Sequence, residues 1–203
     1  MILDDSVARW NGGVDFAADT PTKVALGLAM LCDQIAAALT NERLFSVETL
    51  TIKSWSAAPG GPPKTLQVTR STISSVVHDL VNARDELGAP RAVSVHGHGE
   101  VFEPDGSRSV VRDLMSFSVT TVGSEYSVWI ETRSDAWLPL TLRDEKQTER
   151  YEINAPRLER ALTEINESIG LQLVGEPSKY AEVVGFRLAN LSYGVIRELI
   201  DRE

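Results

Sequence analysis

The chain has 203 residues, of which 42% are hydrophobic and 24% charged, and this composition argues against extensive disorder. A chain of this length buries roughly 70% of its extended surface, so it needs neither disulfides nor a metal to fold. The formal net charge of −9 argues against general nucleic-acid binding, because phosphate contacts require lysine and arginine. The excess of acid instead favours a basic protein as partner.

The N-terminus and the apolar segments predict a cytoplasmic protein. The first residues lack the basic and apolar regions of a secretory signal. The most apolar stretch, Val24 to Leu39, contains Asp33 and Gln34 and is shorter than the ~20 residues that cross a bilayer. No membrane contact is therefore expected. The single cysteine, Cys32, lies in this stretch and is interpreted as a small buried hydrophobe.

Before residue 91 the sequence predicts a helix, two strands and a second helix, at 20–40, 45–55, 66–70 and 72–88. Thr20 is a capping residue and Pro21 fits a first turn, after which apolar residues recur in steps of three and four. In the first strand Leu50 and Ile52 share a face. A loop rich in glycine and proline separates the two strands.

After residue 91 the sequence predicts an antiparallel meander and a third helix. Its three strands lie near 93–101, 111–119 and 126–130, separated by tight turns. Residues 151–153 are a further candidate strand, after which Asn154 is expected to cap a helix that ends at Gly170. Residues 183–188 are either a strand or irregular, and a short helix is expected at 193–200.

The two halves of the chain resemble each other when one is shifted by 82 residues. The coinciding pairs are Trp55 with Trp137, Thr72 with Asn154, and Gly88 with Gly170. The inward residues of the two predicted helices coincide as well. Either a strand–strand–helix unit is duplicated, or amphipathic helices of equal length share this spacing by chance.

These patterns predict an α+β fold in which three main helices pack on antiparallel sheet, with internal duplication as one alternative. The whole chain, 1–203, is expected to form one domain. Under the duplication it divides into similar halves at about 20–90 and 91–170, followed by a C-terminal extension at 171–203.

The most catalytic-looking motif is His96-Gly-His98-Gly-Glu100. On a strand, these three side chains project from one face, where two imidazoles and a carboxylate suit a transition metal. The motif, with Glu103 after it, resembles the first metal motif of the cupins, but no histidine follows His98. Alternatively, the histidines face solvent while Val93, Val95 and Val101 pack inward and the glycines make room for a helix.

The remaining motifs favour binding over catalysis. The chain lacks a Gly-x-Ser-x-Gly nucleophile elbow and a Gly-x-Gly-x-x-Gly fingerprint, and no cofactor is predicted. Four tryptophans are present, and Trp55 and Trp137 fall in predicted loops. They are either lids over the core or interface anchors, because tryptophan is enriched at binding hot spots.

Two segments, Ser134-Asp-Ala-Trp-Leu-Pro139 and Asn154-Ala-Pro-Arg-Leu158, resemble uncharacterised bacterial proteins of actinobacterial type. Some proteins of this size and charge resemble immunity proteins, which bind and neutralise toxins. The resemblance implies a non-enzymatic binding module, either an immunity protein or a chaperone-like adaptor, and it carries over no site residue. The loop tryptophans and the negative charge themselves suggest that Trp55 and Trp137 contact a basic protein. A metal-dependent enzyme or small-ligand protein using His96, His98 and Glu100 is the alternative. A self-assembling structural subunit, forming homo-oligomers, is the third hypothesis.

Overall fold

A computed structural model describes residues 6–15, 20–54, 64–68 and 90–191, with the backbone alone at 64–68. It contains two α-helices, α1 (Pro21–Asn41) and α2 (Thr148–Ile169), and a 3-10 turn at Asp135–Trp137. The strands are β1 (Ala8–Asp15), β2 (Ser46–Ser54), β3 (Lys64–Val68), β4 (Pro90–Phe102), β5 (Arg108–Val122), β6 (Glu125–Thr132), β7 (Val174–Glu176), β8 (Ala181–Val184) and β9 (Arg187–Asn190).

Seven strands form one antiparallel sheet in the order β3-β2-β4-β5-β6-β1-β7. The predicted meander is confirmed as β4, β5 and β6, whose turns contain Gly106 and Gly123 at positive φ. β2 pairs with β4, so strands from before and after residue 90 share this sheet. The last two strands, β8 and β9, form a separate hairpin with its turn at residues 185–186, so 183–188 is neither one strand nor irregular but the end of one strand, a turn and the start of the next.

Both helices pack side by side and contact the central strand β4. The predicted start of α1 is confirmed: Thr20 precedes Pro21, and the Thr20 hydroxyl accepts a hydrogen bond from the Lys23 N–H. Its predicted inward residues form the core with the inner face of the sheet, Leu28, Leu31, Ile35 and Leu39 being buried. We call this side of the sheet the inner face and the opposite side the open face.

The glycines of β4 make room for backbone, not for a helix. A Cβ on Gly97 would lie 2.2 Å from the Ser46 carbonyl oxygen, and one on Gly99 would lie 2.1 Å from the Leu44 carbonyl oxygen. The segment that leaves α1 therefore crosses directly over β4 before it becomes β2. The predicted inward packing of Val93, Val95 and Val101 is confirmed, because all three are buried.

The start of α2 was predicted seven residues too late, with Asn154 as the N-cap instead of Gln147. The helix begins at Thr148, so residues 151–153 are helical and Pro156 lies inside the helix. Proline has no N–H, so the carbonyl of Glu152, four residues before Pro156, has no donor within the helix. Glu152 is exposed, and water can bond to this carbonyl instead. Asn154 is not a cap; it is buried, and its amide nitrogen donates to the carbonyl oxygens of Phe102 and Arg150. The predicted end at Gly170 is confirmed by its left-handed conformation.

The expected fold class is wrong in its balance of elements. The described part of the chain is mostly antiparallel sheet with two α-helices, not three main helices packing sheet. The predicted helices at 72–88 and 193–200 lie outside the described residues. The duplicated unit is also wrong, because a shift of 82 places strand residues 66–68 on helical residues 148–150. The matched spacing is what any two amphipathic helices share.

Candidate functional site

The histidine motif lies on the open face of β4. His96 and His98 are half-buried there, and the Nδ1 atom of His96 is 3.9 Å from the Oδ1 atom of Asp113. The Glu100 carboxylate faces two guanidinium groups, of Arg43 at 3.6 Å and of Arg108 at 3.5 Å. This carboxylate is thus engaged by cations instead of being turned toward the imidazoles.

The candidate metal ligands do not converge. Within residues 6–15, 20–54 and 90–191, no three His, Cys, Asp or Glu side chains are placed to hold a metal ion together. His96, His98 and Glu100 lie within these ranges and do not form such a group. The register between β4 and β5 slips at this point, with residues 113–115 standing opposite Gly97. The side chains next to the histidines are therefore displaced by a bulge, and the arrangement gives the metal hypothesis no support.

Trp137 belongs to the core. It is fully buried in the 3-10 turn, and its Nε1–H donates to the Thr132 hydroxyl over 2.7 Å. In this conformation a partner has no access to its ring, so the structure replaces the proposed interface anchor with a core residue. Trp10 is fully buried as well and donates to the Gly185 carbonyl over 3.3 Å. Trp55, the other predicted anchor, lies outside the described residues.

Trp129 is half-buried on the open face of β6. Its Nε1–H donates to the Ser127 hydroxyl over 3.1 Å, which fixes one edge of the indole. The Arg9 guanidinium lies 5.4 Å from the ring centroid and is 3.2 Å from the Glu131 carboxylate. Cross-strand pairing places Asn11 directly beside Trp129. The indole is consequently held in place by its neighbours while part of its surface stays in contact with solvent.

Acidic side chains share this face of the sheet with Trp129. Strand alternation places Glu125 and Glu131 on the same face of β6 as Trp129, and Asp15 and Glu176 on the same face of β1 and β7. Arg9 is the basic side chain among these positions on the three strands. Asp15 and Glu125 stand directly opposite each other, and like charges in cross-strand positions are unfavourable. We call Trp129, Asp15, Glu125, Glu131 and Glu176 the Trp129 patch.

Sequence reasoning missed Trp129 although the signal was present. Tyr126, Val128 and Ile130 alternate along the strand predicted at 126–130, and all three are buried. That same alternation puts Trp129 on the opposite side of the strand. The sequence prediction selected the loop tryptophans Trp55 and Trp137, but a tryptophan on the polar side of a strand is the stronger sign of a contact surface.

A buried polar cluster links α2 to the segment after α1. The Arg157 guanidinium donates to the Glu42 carbonyl, to the Glu100 carbonyl over 3.0 Å and to the Asn154 side-chain oxygen over 2.8 Å. It also lies 4.0 Å from the Phe102 ring centroid. Burial lowers the pKa of Arg157, and the carboxylates of Glu42 and Glu100 oppose this shift. All these partners are internal, so the cluster holds the fold together.

Cys32 lies in the apolar helix α1. Cys32 is a free, buried thiol, as predicted, and burial raises its pKa with a smaller contribution from the charge of Asp33. It therefore stays protonated. By length and composition alone, Thr22–Asn41 is apolar enough to cross a membrane, with a mean hydropathy of 1.4. Half of that stretch is buried inside the protein, as the composition of a core helix requires.

In the described part of the chain, a seven-stranded antiparallel sheet carries two helices on one face and the Trp129 patch on the other. No protein-family model, curated protein or solved structure matches the chain. The function must therefore be argued from the site itself.

Proposed function

We propose that this protein is a non-enzymatic binding module that docks a basic protein on the Trp129 patch. The observation that carries the proposal is the partly solvent-accessible Trp129, held by neighbouring side chains on a sheet face that also carries Asp15, Glu125, Glu131 and Glu176. A rigid aromatic ring loses little conformational entropy on binding, which is why tryptophan dominates interface hot spots.

The charge of the patch supports a cationic partner. Asp15 and Glu125 are exposed and opposite each other, and no ion pair joins either of them to another described residue. A lysine or arginine from a partner would relieve their mutual repulsion. The net charge of −9 would also accelerate encounter with a basic protein. An immunity protein that occludes a cationic toxin has these properties, and so does a chaperone-like adaptor.

The test compares complexes isolated from the protein's own cells by native mass spectrometry. Wild type is expected to retain one basic protein, and Trp129→Ala is expected to weaken that complex by at least ~2 kcal/mol, or about thirtyfold. Val110→Ala is the matched control, because Val110 is an exposed apolar residue on β5, and it should bind like wild type.

A second pair of variants tests the charge. Replacing both Asp15 and Glu125 by their amides should slow association and reduce its salt dependence, whereas Glu149→Gln, at an exposed site on α2, should not. The proposal fails if Trp129→Ala and Val110→Ala bind the partner equally well. It also fails if the protein is recovered only as a homo-oligomer, which would favour the self-assembly hypothesis.

A further inference from the structure

Part of β1 has a sheet edge without a neighbouring strand among the described residues. β1 pairs with β6 along its whole length, but β7 covers only Arg9 to Asn11 on its other side. The Gln172 carbonyl then passes close to Gly12, 3.2 Å from the position of a Cβ there. At Gly13–Asp15 the described structure shows no further backbone hydrogen bond. Alternate residues of an antiparallel strand turn their N–H and C=O groups outward, so this edge can pair with another strand.

A cavity of about 380 Å³ lies beside this edge, between β1, α1 and the end of α2. Its apolar lining consists of Val14, Met30, Leu31, Tyr126 and Ile169. Met30 is 59% exposed, an unusual state for a large apolar side chain that lines a cavity. The volume is within the range of sites that bind small groups. An apolar side chain next to β1 would remove this lining from water.

We propose that an extended segment of a partner protein adds to the edge of β1 at Gly13–Asp15, with an apolar side chain in this cavity and a lysine or arginine beside Asp15. The inference shares Asp15 with the Trp129 patch but goes beyond it, because it concerns backbone pairing at the edge of the sheet and not contact with its face. Strand addition of this kind takes affinity from backbone hydrogen bonds and specificity from alternate side chains.

The periodicity of a strand fixes the sequence that fits. Val14 and Tyr126 are cross-strand neighbours on the inner face, on the cavity side, whereas Asp15 and Glu125 are neighbours on the open face. Successive residues of an added strand point to these two faces in turn. The matching segment therefore alternates apolar with basic residues. Lys23, the basic residue that lines the cavity, already has an interaction of its own and does not need to be displaced.

The test uses a capped hexapeptide of alternating leucine and lysine, titrated into the full chain and followed through backbone amide shifts and fluorescence anisotropy. The largest shifts are expected at Gly13–Asp15. Met30→Glu should weaken binding about tenfold, because it places a charge in the cavity. Leu26→Glu is the matched control: Leu26 is also exposed on α1 but does not line the cavity, and its variant should bind as wild type does.

Backbone pairing is tested with two peptides of the same charge, N-methylated on every second residue in one register or the other. One of them is expected to lose binding, because alternate N–H groups face β1. The proposal is overturned if both methylated peptides bind like the parent, or if Met30→Glu and Leu26→Glu have equal effects. Shifts confined to the indole of Trp129 would also overturn it while leaving the proposed face contact intact.

Discussion

Replacing Arg157 by methionine is expected to destabilise the fold because this residue joins three elements. Its guanidinium bonds to carbonyls after α1 and on β4 and to the Asn154 side chain on its own helix, and it packs on the Phe102 ring. Methionine keeps the volume of the aliphatic stem but donates no hydrogen bond. Arg157→Met therefore removes the polar contacts and leaves the packing in place.

The cost follows from the acceptors left behind. The Glu100 carbonyl, for which the guanidinium is the only donor among the described hydrogen bonds, loses it, and an acceptor left unsatisfied in this partly buried position costs about 1–3 kcal/mol. Asn154 still accepts a hydrogen bond from the Phe102 N–H, and water can reach the half-buried Glu42, so these two acceptors add less. The loss of a positive charge near the C-terminus of α1 and over the Phe102 ring adds roughly 1–2 kcal/mol. The variant also avoids the desolvation cost of burying the guanidinium charge, which offsets part of this. The expected decrease in unfolding free energy is therefore about 2–4 kcal/mol.

Urea unfolding followed by tryptophan fluorescence measures this loss, with Arg160→Met as the matched control. Arg160 lies on the same helix, but its exposed guanidinium bonds to the Glu42 carboxylate at 2.7 Å, and such surface pairs contribute at most about 1 kcal/mol. Equal unfolding free energies for the two variants, within about 0.5 kcal/mol, would refute the assigned role of Arg157.

Two further predictions concern stability. Gly97→Ala should lower the unfolding free energy by about 3 kcal/mol or prevent folding, because its Cβ would meet the Ser46 carbonyl oxygen. The control variant Gly13→Ala should fold, because the nearest atom to its Cβ would be in the movable Glu125 carboxylate, at 3.3 Å. Equal thermal midpoints for the two variants would contradict this prediction. The hydrogen bond from Arg160 is the main cause that lowers the pKa of Glu42 below its ordinary 4.5, so this carboxylate stabilises the fold fully above pH 4.5 and loses that effect as the pH falls through the lowered pKa. Wild type should exceed Glu42→Gln in unfolding free energy by up to about 1 kcal/mol at pH 7 and match it in strong acid, and a gap independent of pH would show that another interaction is responsible.

The candidate site was predictable only in part. Strand alternation alone places Trp129 on the polar side of β6, and the turns around it are marked by glycine. The acidic character of this face was not predictable, because Asp15 and Glu176 come to the same side of the sheet as Trp129 through pairings between strands far apart in sequence. That Trp137 is buried instead of anchoring a partner was not predictable for a related reason. A short polar segment predicts a loop, but it does not reveal that Thr132 supplies an acceptor for the indole inside the core.

The sequence by itself determined the local elements: the capped start of α1, the meander with its turns, and the left-handed end of α2 at Gly170. These depend on hydrophobic periodicity, capping side chains and glycine conformation, all of which act over a few residues. The tertiary structure alone decided that α2 continues back through Asn154 to Thr148, because the buried Asn154 bonds to Phe102, 52 residues earlier in the chain. It also decided the strand order and hence which side chains share the open face, since pairing between distant strands depends on how the whole core closes.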